Sequence, residues 1–303
     1  MKTYKYILVI GGLVAGFFMS GCTNLDVQLT DSVLVESEGG NFTGDPAALL
    51  NSAYNKLNDI TGSSYTGVSG LNEPTSDEMI IPTRSTDWGN GGDFRVLDTQ
   101  TWDADHSYIL SVWNNMNQAV FYCNQVLASS PSADQTAQAK ALRAFFMYNI
   151  IDLFGQVPFR EVNQGVDENP KVMSRSEAFD FAVKDLEEAL PDLIDGGPDA
   201  DHTVVSKAFV NALLARFYLN KAVYKSDNPA GPYTFDAADM DKVIAYSDAV
   251  KAAGFSYESD YFKNFTADGN SEKILTYTGW WSGMWVWPQL HNAQGGWNGA
   301  TTY

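Results

Sequence analysis

The chain has 303 residues, of which 45% are apolar and 18% are charged, and its formal net charge is −18 at pH 7. This composition is typical of a globular protein, and the length suffices for one large domain or two smaller ones. Because so acidic a chain repels phosphate backbones and no stripe of Lys and Arg offsets the repulsion, the sequence argues against nucleic acid as a partner.

The chain begins with the pattern of a targeting signal. Lys2 and Lys5 give a basic start, and an uncharged apolar run of twelve residues follows at 7–18. So short a run fits a secretory signal and is too short to cross a bilayer as a helix. The small residues before Cys22 complete a pattern that resembles a bacterial lipobox, in which the cysteine thiol is acylated. We therefore predict a lipoprotein signal peptide at 1–21 and lipidation of Cys22, the alternative being an ordinary signal peptide with an incidental cysteine.

A polar tether with short extended pieces is predicted at 22–44, directly after the signal. Acylation of Cys22 would leave Cys123 as the one remaining cysteine, so that no intramolecular disulfide could form. Cys123 lies in the helical apolar pattern "VFYCNQVL", which favours a buried core position over a reactive thiol.

Helical patterns dominate residues 45–254. Asp45 is in the position of an N-cap, and Pro46 follows at the first helical position. Apolar residues at spacings of three and four, a capping box and glycine stops predict the later helices. These are expected at Tyr108–Leu127, at Leu142–Phe154, from the capping box Ser174–Glu177 onward, at Val205–Tyr224 and at Asp236–Lys251. Helices joined in this way by loops predict stacked helical hairpins.

The helical period fades at 255–303, for which we predict a loop-rich and strand-rich aromatic region. "SEKILTYTGWW" (271–281) has the Tyr, Thr and Ile content of a β-strand. The overlapping segment "GWWSGMWVWPQ" (279–289) holds four of the eight tryptophans of the chain.

Five segments in chain order, together with the lipobox, resemble the SusD/RagB family of outer-membrane nutrient-binding lipoproteins from Bacteroidetes-type bacteria. The segments are "SDEMIIPTRSTDWGNGG" (76–92), "QTW" (100–102), "KALRAFFMYNIIDLFGQVPF" (140–159), "SRSEAFDFAVKDLEEALPDL" (174–193) and "SKAFVNALLARFYLNKA" (206–222). The resemblance covers essentially the whole mature chain, 22–303, as one domain. It implies a mainly α fold, a superhelix of tetratricopeptide-like helical hairpins that carries a loop-rich ligand-binding part. Family members usually run longer, so we expect a C-terminally truncated member.

The resemblance also implies a role. A SusD-like protein binds oligosaccharides or polysaccharides without catalysis and delivers them to a SusC-like TonB-dependent transporter. We therefore expect a glycan ligand, that transporter as a partner, and a protein anchored in the outer membrane through Cys22 and facing the exterior. The resemblance implies no cofactor.

The tryptophan cluster is the first candidate binding surface. In an extended segment, Trp281, Trp285 and Trp287 lie on one side. The C–H faces of sugars stack on aromatic rings, which by analogy with aromatic pairs contributes on the order of 1 kcal/mol per ring beyond burial. The residues between these tryptophans are also largely apolar, so the alternative is a strand that is buried on both faces.

The glycine-rich loop "PTRSTDWGNGGDF" (82–94) is the second candidate. Arg84, Asp87, Trp88 and Asn90 combine one aromatic ring with hydrogen-bond donors and acceptors on accessible backbone. The family resemblance places this loop near the glycan site. The alternative is a structural loop, in which Arg84 pairs with a nearby carboxylate and Trp88 packs on the helices.

Trp297 and Asn298 in "GGWNG" form a third candidate for ligand binding. Trp102 and Trp113 are instead predicted to be core residues. The predicted ligand-binding residues are thus those of the 82–94 loop, of the tryptophan cluster and of this pair.

Residues suited to catalysis or metal binding show no local pattern. His106, His202 and His291 are far apart in sequence and lack the spacing of a zinc-binding helix. With 37 acidic residues, chance carboxylate pairs are unavoidable, and no motif singles out a glycosidase pair. We therefore predict a protein that is not an enzyme and uses no cofactor. No metal site is assigned, and cation binding by an acidic loop such as "DGGPDAD" (195–201) stays an open alternative, although the loop matches no full calcium-binding pattern. The rival hypothesis is a helical-repeat protein that docks other proteins and uses its tryptophans as core.

Overall fold

A computed structural model of the chain describes residues 34–37, 41–61, 66–81, 89–162, 164, 168–228, 230–266 and 269–277. These residues form eight α-helices, three short 3₁₀ turns and two two-stranded antiparallel sheets. The helices are α1 (Pro46–Thr61), α2 (Val68–Asn72), α3 (Asp93–Asp98), α4 (Ser107–Ala128), α5 (Ala133–Phe154), α6 (Arg175–Ala189), α7 (Lys207–Tyr224) and α8 (Ala237–Ala252). The strands are β1 (Leu34–Ser37), β2 (Asn41–Gly44), β3 (Gln156–Phe159) and β4 (Lys171–Ser174), and the 3₁₀ turns are Asn90–Gly92, Leu190–Asp192 and Tyr261–Phe265.

The long helices pack as a chain of neighbours. Helix α1 packs on α4, α4 on α5, α5 on α6, α6 on α7 and α7 on α8. Each consecutive pair is a helical hairpin that buries its apolar stripe against the next pair. The predicted mainly α fold of stacked helical hairpins is therefore confirmed. None of the helices within the described ranges combines the length and apolarity needed to cross a membrane.

Local sequence signals begin and end the helices, and those that begin α6 and α8 lie where they were predicted. The Ser132 hydroxyl accepts a hydrogen bond from the Gln135 N–H at the start of α5, and Ser174 and Glu177 form the same capping box at α6. The Asp236 carboxylate caps α8. Helix α5 ends at Gly155, whose φ of 75° is left-handed and therefore favours glycine.

The core lies between α4, α5, α6 and α7. Its largest fully buried side chains include Phe146 and Phe217, and Cys123 is also fully buried, as predicted. Burial raises the pKa of the Cys123 thiol to about 12, so the residue behaves as a small apolar side chain and not as a nucleophile at neutral pH.

One buried polar network ties three helices together. Arg143 on α5 donates from Nε and Nη2 to the two carboxylate oxygens of Asp185 on α6, at 2.7 and 2.8 Å. Its Nη1 donates to Asn124 Oδ1 on α4 at 2.7 Å. The guanidinium also lies 4.8 Å from the centre of the Phe181 ring. Because every arm of the guanidinium has a partner, the cost of burying the charge is offset locally.

The structure departs from the predicted elements in three places. Strands β3 and β4 pair between α5 and α6, with Pro158 opposite Val172, where no strand was predicted. Short helices α2 and α3 occupy part of a segment in which periodicity gave no signal. The predicted strand at 271–281 is wrong for 271–277, which contain no strand, and its remainder lies outside the described residues.

The predicted extended pieces of the tether are confirmed for β1 and β2, which pair antiparallel with Leu34 opposite Gly44. The backbone N–H of Gly44 donates to Ser129 Oγ at 3.0 Å, at the end of α4. This bond fixes the end of the strand pair on the helical frame directly before α1 begins.

Candidate functional site

The structure describes one of the predicted ligand-binding residues, Asn90. The other predicted residues lie outside the described ranges and remain predictions, and so does lipidation of Cys22. They are Arg84, Asp87, Trp88, Trp281, Trp285, Trp287, Trp297 and Asn298.

Asn90 begins a tight turn directly before α3. The backbone is left-handed at Asn90, Gly91 and Gly92, with φ of 38°, 67° and 99°. Glycine adopts this conformation freely and asparagine tolerates it better than most residues, which explains "NGG" at this point. The Asn90 Nδ2 donates to Tyr108 OH at 2.7 Å, and the side chain is otherwise exposed. Its carbonyl oxygen accepts no hydrogen bond from another described residue and is available to a ligand.

The turn is fastened to the start of α4. His106 Nε2 lies 3.2 Å from the Asp93 carbonyl oxygen, so that Nε2 carries the proton and donates it. Its Nδ1 is buried and has no hydrogen-bond partner in the part of the chain that the structure describes. The Ser107 hydroxyl donates to Asp93 Oδ2 at 3.2 Å. The segment that carries Asn90 is therefore held in one position relative to α4.

A cavity of about 420 Å³ lies between α2, α3, the first turn of α4 and the end of α5. This volume falls within the range of about 300–1,000 Å³ that small-molecule sites occupy. The residues that line the cavity are Leu71, Asn72, Thr75, Leu97, Trp102, Asp103, Ala104, Ile109, Leu153 and Phe154.

Trp102 forms an exposed aromatic wall of this cavity, and its predicted place in the core is wrong. The side chain is 42% exposed, whereas Leu71 and Leu97 on the cavity floor are buried. The physical reason is position, since Trp102 follows α3 in an irregular segment and the described residues leave its side chain partly exposed. Trp113, on the body of α4, packs against the core with its ring 4.9 Å from that of Phe154, which confirms the prediction for that residue.

Polar side chains line the same cavity as the Trp102 ring. The carboxamide of Asn72 is exposed and makes no hydrogen bond to any other residue that the structure describes. Asp103 Oδ1 accepts one hydrogen bond, from the Asp105 N–H at 3.0 Å, and the Asp103 side chain is otherwise exposed. The Thr75 hydroxyl donates to the Leu71 carbonyl at 2.6 Å. An aromatic wall with a free amide and a carboxylate next to it can stack on a flat apolar face and bind hydroxyls at the rim of that face.

The surroundings of the cavity are acidic. Asp103 carries the only formal charge among the described residues that line it. Next to Asn72, burial and the neighbouring Glu78 carboxyl raise the pKa of Glu73.

No three His, Cys, Asp or Glu side chains within the described ranges lie close enough together to hold a metal ion.

Sequence reasoning did not find this cavity, although one signal pointed to it. Trp102 stands in "TQTWDAD", where an aromatic residue is surrounded by polar ones in a segment without helical period. Such a residue lacks the regular apolar neighbours that bury a ring on a helix face. The contribution of Asn72 carried no local signal, because it reaches the cavity through tertiary packing.

Comparison with known proteins gives consistent results. A SusD-like family model described as "Starch-binding associating with outer membrane" matches residues 42–207. The starch-binding protein SusD of Bacteroides thetaiotaomicron is 24% identical over 294 residues, which cover 90% of this chain and 50% of that protein. This chain thus spans about half the length of the curated relative that it matches.

Solved structures share the fold. A laminarin-binding SusD-like protein superposes with a TM-score of 0.61 at 22% identity, over 76% of this chain and 50% of that one. A SusD-like carbohydrate-binding protein from Bacteroides fragilis superposes with a TM-score of 0.61 at 19% identity, over 83% and 50%. At such low identities, the likeness establishes the architecture.

Proposed function

The chain belongs to the SusD-like family, and on this premise we propose that it binds oligosaccharides or polysaccharides without catalysis. The family is described as starch-binding and associated with the outer membrane. Two of the similar proteins are described as binding starch and laminarin. Both of these ligands are built from sugar rings with flat C–H faces and many hydroxyl groups, and a site for them needs aromatic surface and hydrogen-bonding side chains.

The observation that carries the proposal is the exposed Trp102 ring at the cavity. The Trp102 side chain is 42% exposed, so its ring offers apolar surface that a ligand can bury. The amide of Asn72, which bonds to no other described residue, and the carboxylate of Asp103 line the same cavity. This combination suits a sugar better than a purely apolar ligand, because the hydroxyls of a sugar satisfy both polar groups.

We further propose that the ligand continues from the cavity over the neighbouring loop. The Asn90 turn and the cavity share α3 and α4, since Leu97 and Ile109 line the cavity while Asn90 bonds to Tyr108. Additional contacts come, in this proposal, from the loop and from the aromatic C-terminal region. The residues concerned are Arg84, Asp87, Trp88, Trp281, Trp285, Trp287, Trp297 and Asn298.

The protein would act in uptake and not in degradation. Acylated at Cys22, it would be anchored in the outer membrane and face the exterior, where it captures glycans and passes them to a SusC-like TonB-dependent transporter. Stacking and a few hydrogen bonds give modest affinity, which allows the ligand to be released to the transporter.

Native affinity electrophoresis tests the proposal. The full chain in non-ionic detergent is run through gels that contain starch, laminarin, xyloglucan or an acidic polysaccharide, beside a protein that binds no glycan. We expect retardation by a subset of the neutral polysaccharides and no new reducing ends after incubation. The double variant Trp281→Ala and Trp285→Ala tests the C-terminal platform, and we expect it to lose about tenfold in affinity or more.

The alternatives predict other results. If a folded chain is retarded by none of these polysaccharides, glycan binding is wrong and the protein-docking hypothesis gains support. New reducing ends would contradict a non-catalytic role. Full affinity in a folded double variant would remove the C-terminal tryptophans from the site and leave the proposed binding function in place.

A further inference from the structure

We infer that the cavity beside Trp102 is a subsite for a neutral sugar residue and that Asp103 makes it reject sugars bearing carboxylate or sulfate groups. This inference rests on the proposed glycan-binding function and adds the class of glycan. It depends on three properties of the described residues, which are the exposed ring, the free polar groups and the sign of the charge.

The ring and the apolar floor define where the sugar lies. Trp102 lines the cavity with its side chain 42% exposed, and Leu71 and Leu97, which also line it, are buried. A pyranose ring has one apolar C–H face that can lie on the indole, while its edge carries the hydroxyl groups. The sugar would therefore enter with its edge toward the polar rim.

Two polar side chains that line the cavity differ in the hydrogen bonds that they can form with sugar hydroxyls. The Asn72 carboxamide offers both donors and an acceptor, and none of them bonds to another described residue. The Asp103 carboxylate only accepts, and the single bond it receives from the Asp105 N–H leaves further acceptor capacity. A sugar hydroxyl can donate to Asp103 and accept from Asn72, so a neutral sugar satisfies both groups.

The charge of the cavity sets the selectivity. Lys, Arg and His are absent from the described residues that line it, and Asp103 supplies one negative charge. The whole chain has a formal net charge of −18, so that its overall field adds to this repulsion. An acidic sugar in contact with Asp103 would lose about fivefold in affinity or more, and the penalty would shrink at high salt.

A matched pair of ligands tests the inference. One ligand is the neutral polysaccharide that retards the full chain most strongly in the panel, and the other is the same polymer with part of its primary alcohols oxidised to carboxylates. Both are titrated against the full chain in non-ionic detergent at low and high salt. We expect the neutral polymer to bind at least about fivefold more tightly at low salt, with a smaller ratio at high salt.

Substitutions assign the effect to named groups. Asp103→Asn removes the charge but keeps an acceptor, so we expect it to raise affinity for the oxidised polymer about fivefold and to change affinity for the neutral polymer about threefold at most. Asp105→Asn is the matched control, since this neighbouring carboxylate does not line the cavity. Trp102→Ala should weaken binding of both polymers about tenfold or more.

The outcomes separate this inference from the function on which it rests. If the neutral polymer binds but the oxidised polymer binds as well, or if Asp103→Asn leaves the ratio unchanged, charge selection by this cavity is wrong while glycan binding stands. If a folded Trp102→Ala variant keeps full affinity, the cavity is not a subsite. If no polysaccharide retards the folded chain, the proposed function itself fails.

Discussion

The polar groups of the Arg143 network and those of the Trp102 cavity differ in burial and in how far their hydrogen bonds are satisfied. Arg143 and Asp185 are each about 5% exposed at the side chain, and the guanidinium has hydrogen-bond partners on two helices. At the cavity, Asn72 and Asp103 are exposed and retain unused hydrogen-bonding capacity. The first arrangement fixes helices relative to each other, and the second leaves groups ready for a molecule from outside.

This difference separates stability from binding. We call the packed helices α1 and α4–α8 the helical frame. A buried polar group without a partner costs free energy, so this frame can hold Arg143 only with the hydrogen-bond partners of Arg143 in place. An exposed polar group costs little free energy without a ligand, because water forms hydrogen bonds with it. We therefore expect substitutions in the frame to change the free energy of unfolding and substitutions at the cavity to change affinity.

The largest expected effect on stability comes from Arg143→Ala. The substitution leaves the Asp185 carboxylate buried without its cation, which should lower the free energy of unfolding by about 3–5 kcal/mol. Burial raises the pKa of Asp185 and Arg143 opposes that increase, so the pKa should rise further in the variant. Because a group with a raised carboxyl pKa destabilises the fold when it ionises, the loss should be larger at pH 8 than at pH 5. Urea unfolding of the full chain at pH 5 and at pH 8 measures the loss of unfolding free energy at each pH.

A surface ion pair supplies the control for this prediction. Lys225 and Asp180 pair at 2.5 Å, but Asp180 is 63% exposed. Lys225→Ala should therefore change the free energy of unfolding by less than about 1 kcal/mol. Equal losses of unfolding free energy in the two variants would contradict the argument that burial makes the Arg143 network important for stability. A change in glycan affinity of the remaining folded Arg143→Ala protein would break the separation of frame and cavity.

The next prediction compares two glycines with left-handed backbone, one at the end of α5 and one in the turn before α3. Gly155→Ala places a methyl group in an unfavourable backbone conformation, and its Cβ would lie 2.9 Å from an Arg175 guanidinium nitrogen. Gly91→Ala has a similar φ, but apart from its chain neighbours no described residue has an atom within 4 Å of its Cβ. The backbone alone costs about 1–2 kcal/mol at either position, and the flexible Arg175 guanidinium can move aside, so we expect similar losses in the two variants. Thermal unfolding measures both losses, and a clearly larger loss for Gly155→Ala would show that Arg175 is held in place.

The frame could be predicted from the sequence because its signals are local. The capping box at Ser174 and Glu177, the glycine at 155 and the apolar spacing from Leu142 to Phe154 each act within one or two turns of helix. Strands β3 and β4 escaped prediction because their pairing brings Pro158 opposite Val172 across an intervening loop. Such pairing depends on how α5 and α6 are placed, which no local pattern reports.

The candidate site could be predicted only in part. The glycine content of 82–94 predicts an accessible loop, and the structure shows that its "NGG" turn has three left-handed residues. Trp102 was assigned to the core, because composition gives an aromatic ring a high prior for burial. Its exposure follows from its place in an irregular segment after α3, and the convergence of Asn72 and Asp103 on one cavity follows from tertiary packing.

The smallest expected effect concerns charge in the frame alone. Helices α5 and α6 begin with the same capping box, but the residue that bonds back to the cap is Gln135 in α5 and Glu177 in α6. The Ser174 backbone N–H, then its hydroxyl and Lys171, hold the pKa of Glu177 below its ordinary value of 4.5. Its ionisation therefore stabilises the fold above pH 4.5, and this stability is lost as the pH falls through the lower pKa of the folded state.

Glu177→Gln keeps the acceptor and removes the charge, so it isolates that contribution. We expect a small decrease in the melting temperature at pH 7, which shrinks toward zero as the pH falls below the folded pKa of Glu177, because both side chains are then neutral. The reciprocal variant Gln135→Glu should add a pH-dependent increment to α5, reduced by the neighbouring Asp134. A difference between wild type and Glu177→Gln that does not vary with pH would mean that packing, and not charge, distinguishes the two caps. Neither variant should alter glycan affinity, since neither residue lines the cavity, and a change would show that the frame and the cavity are coupled.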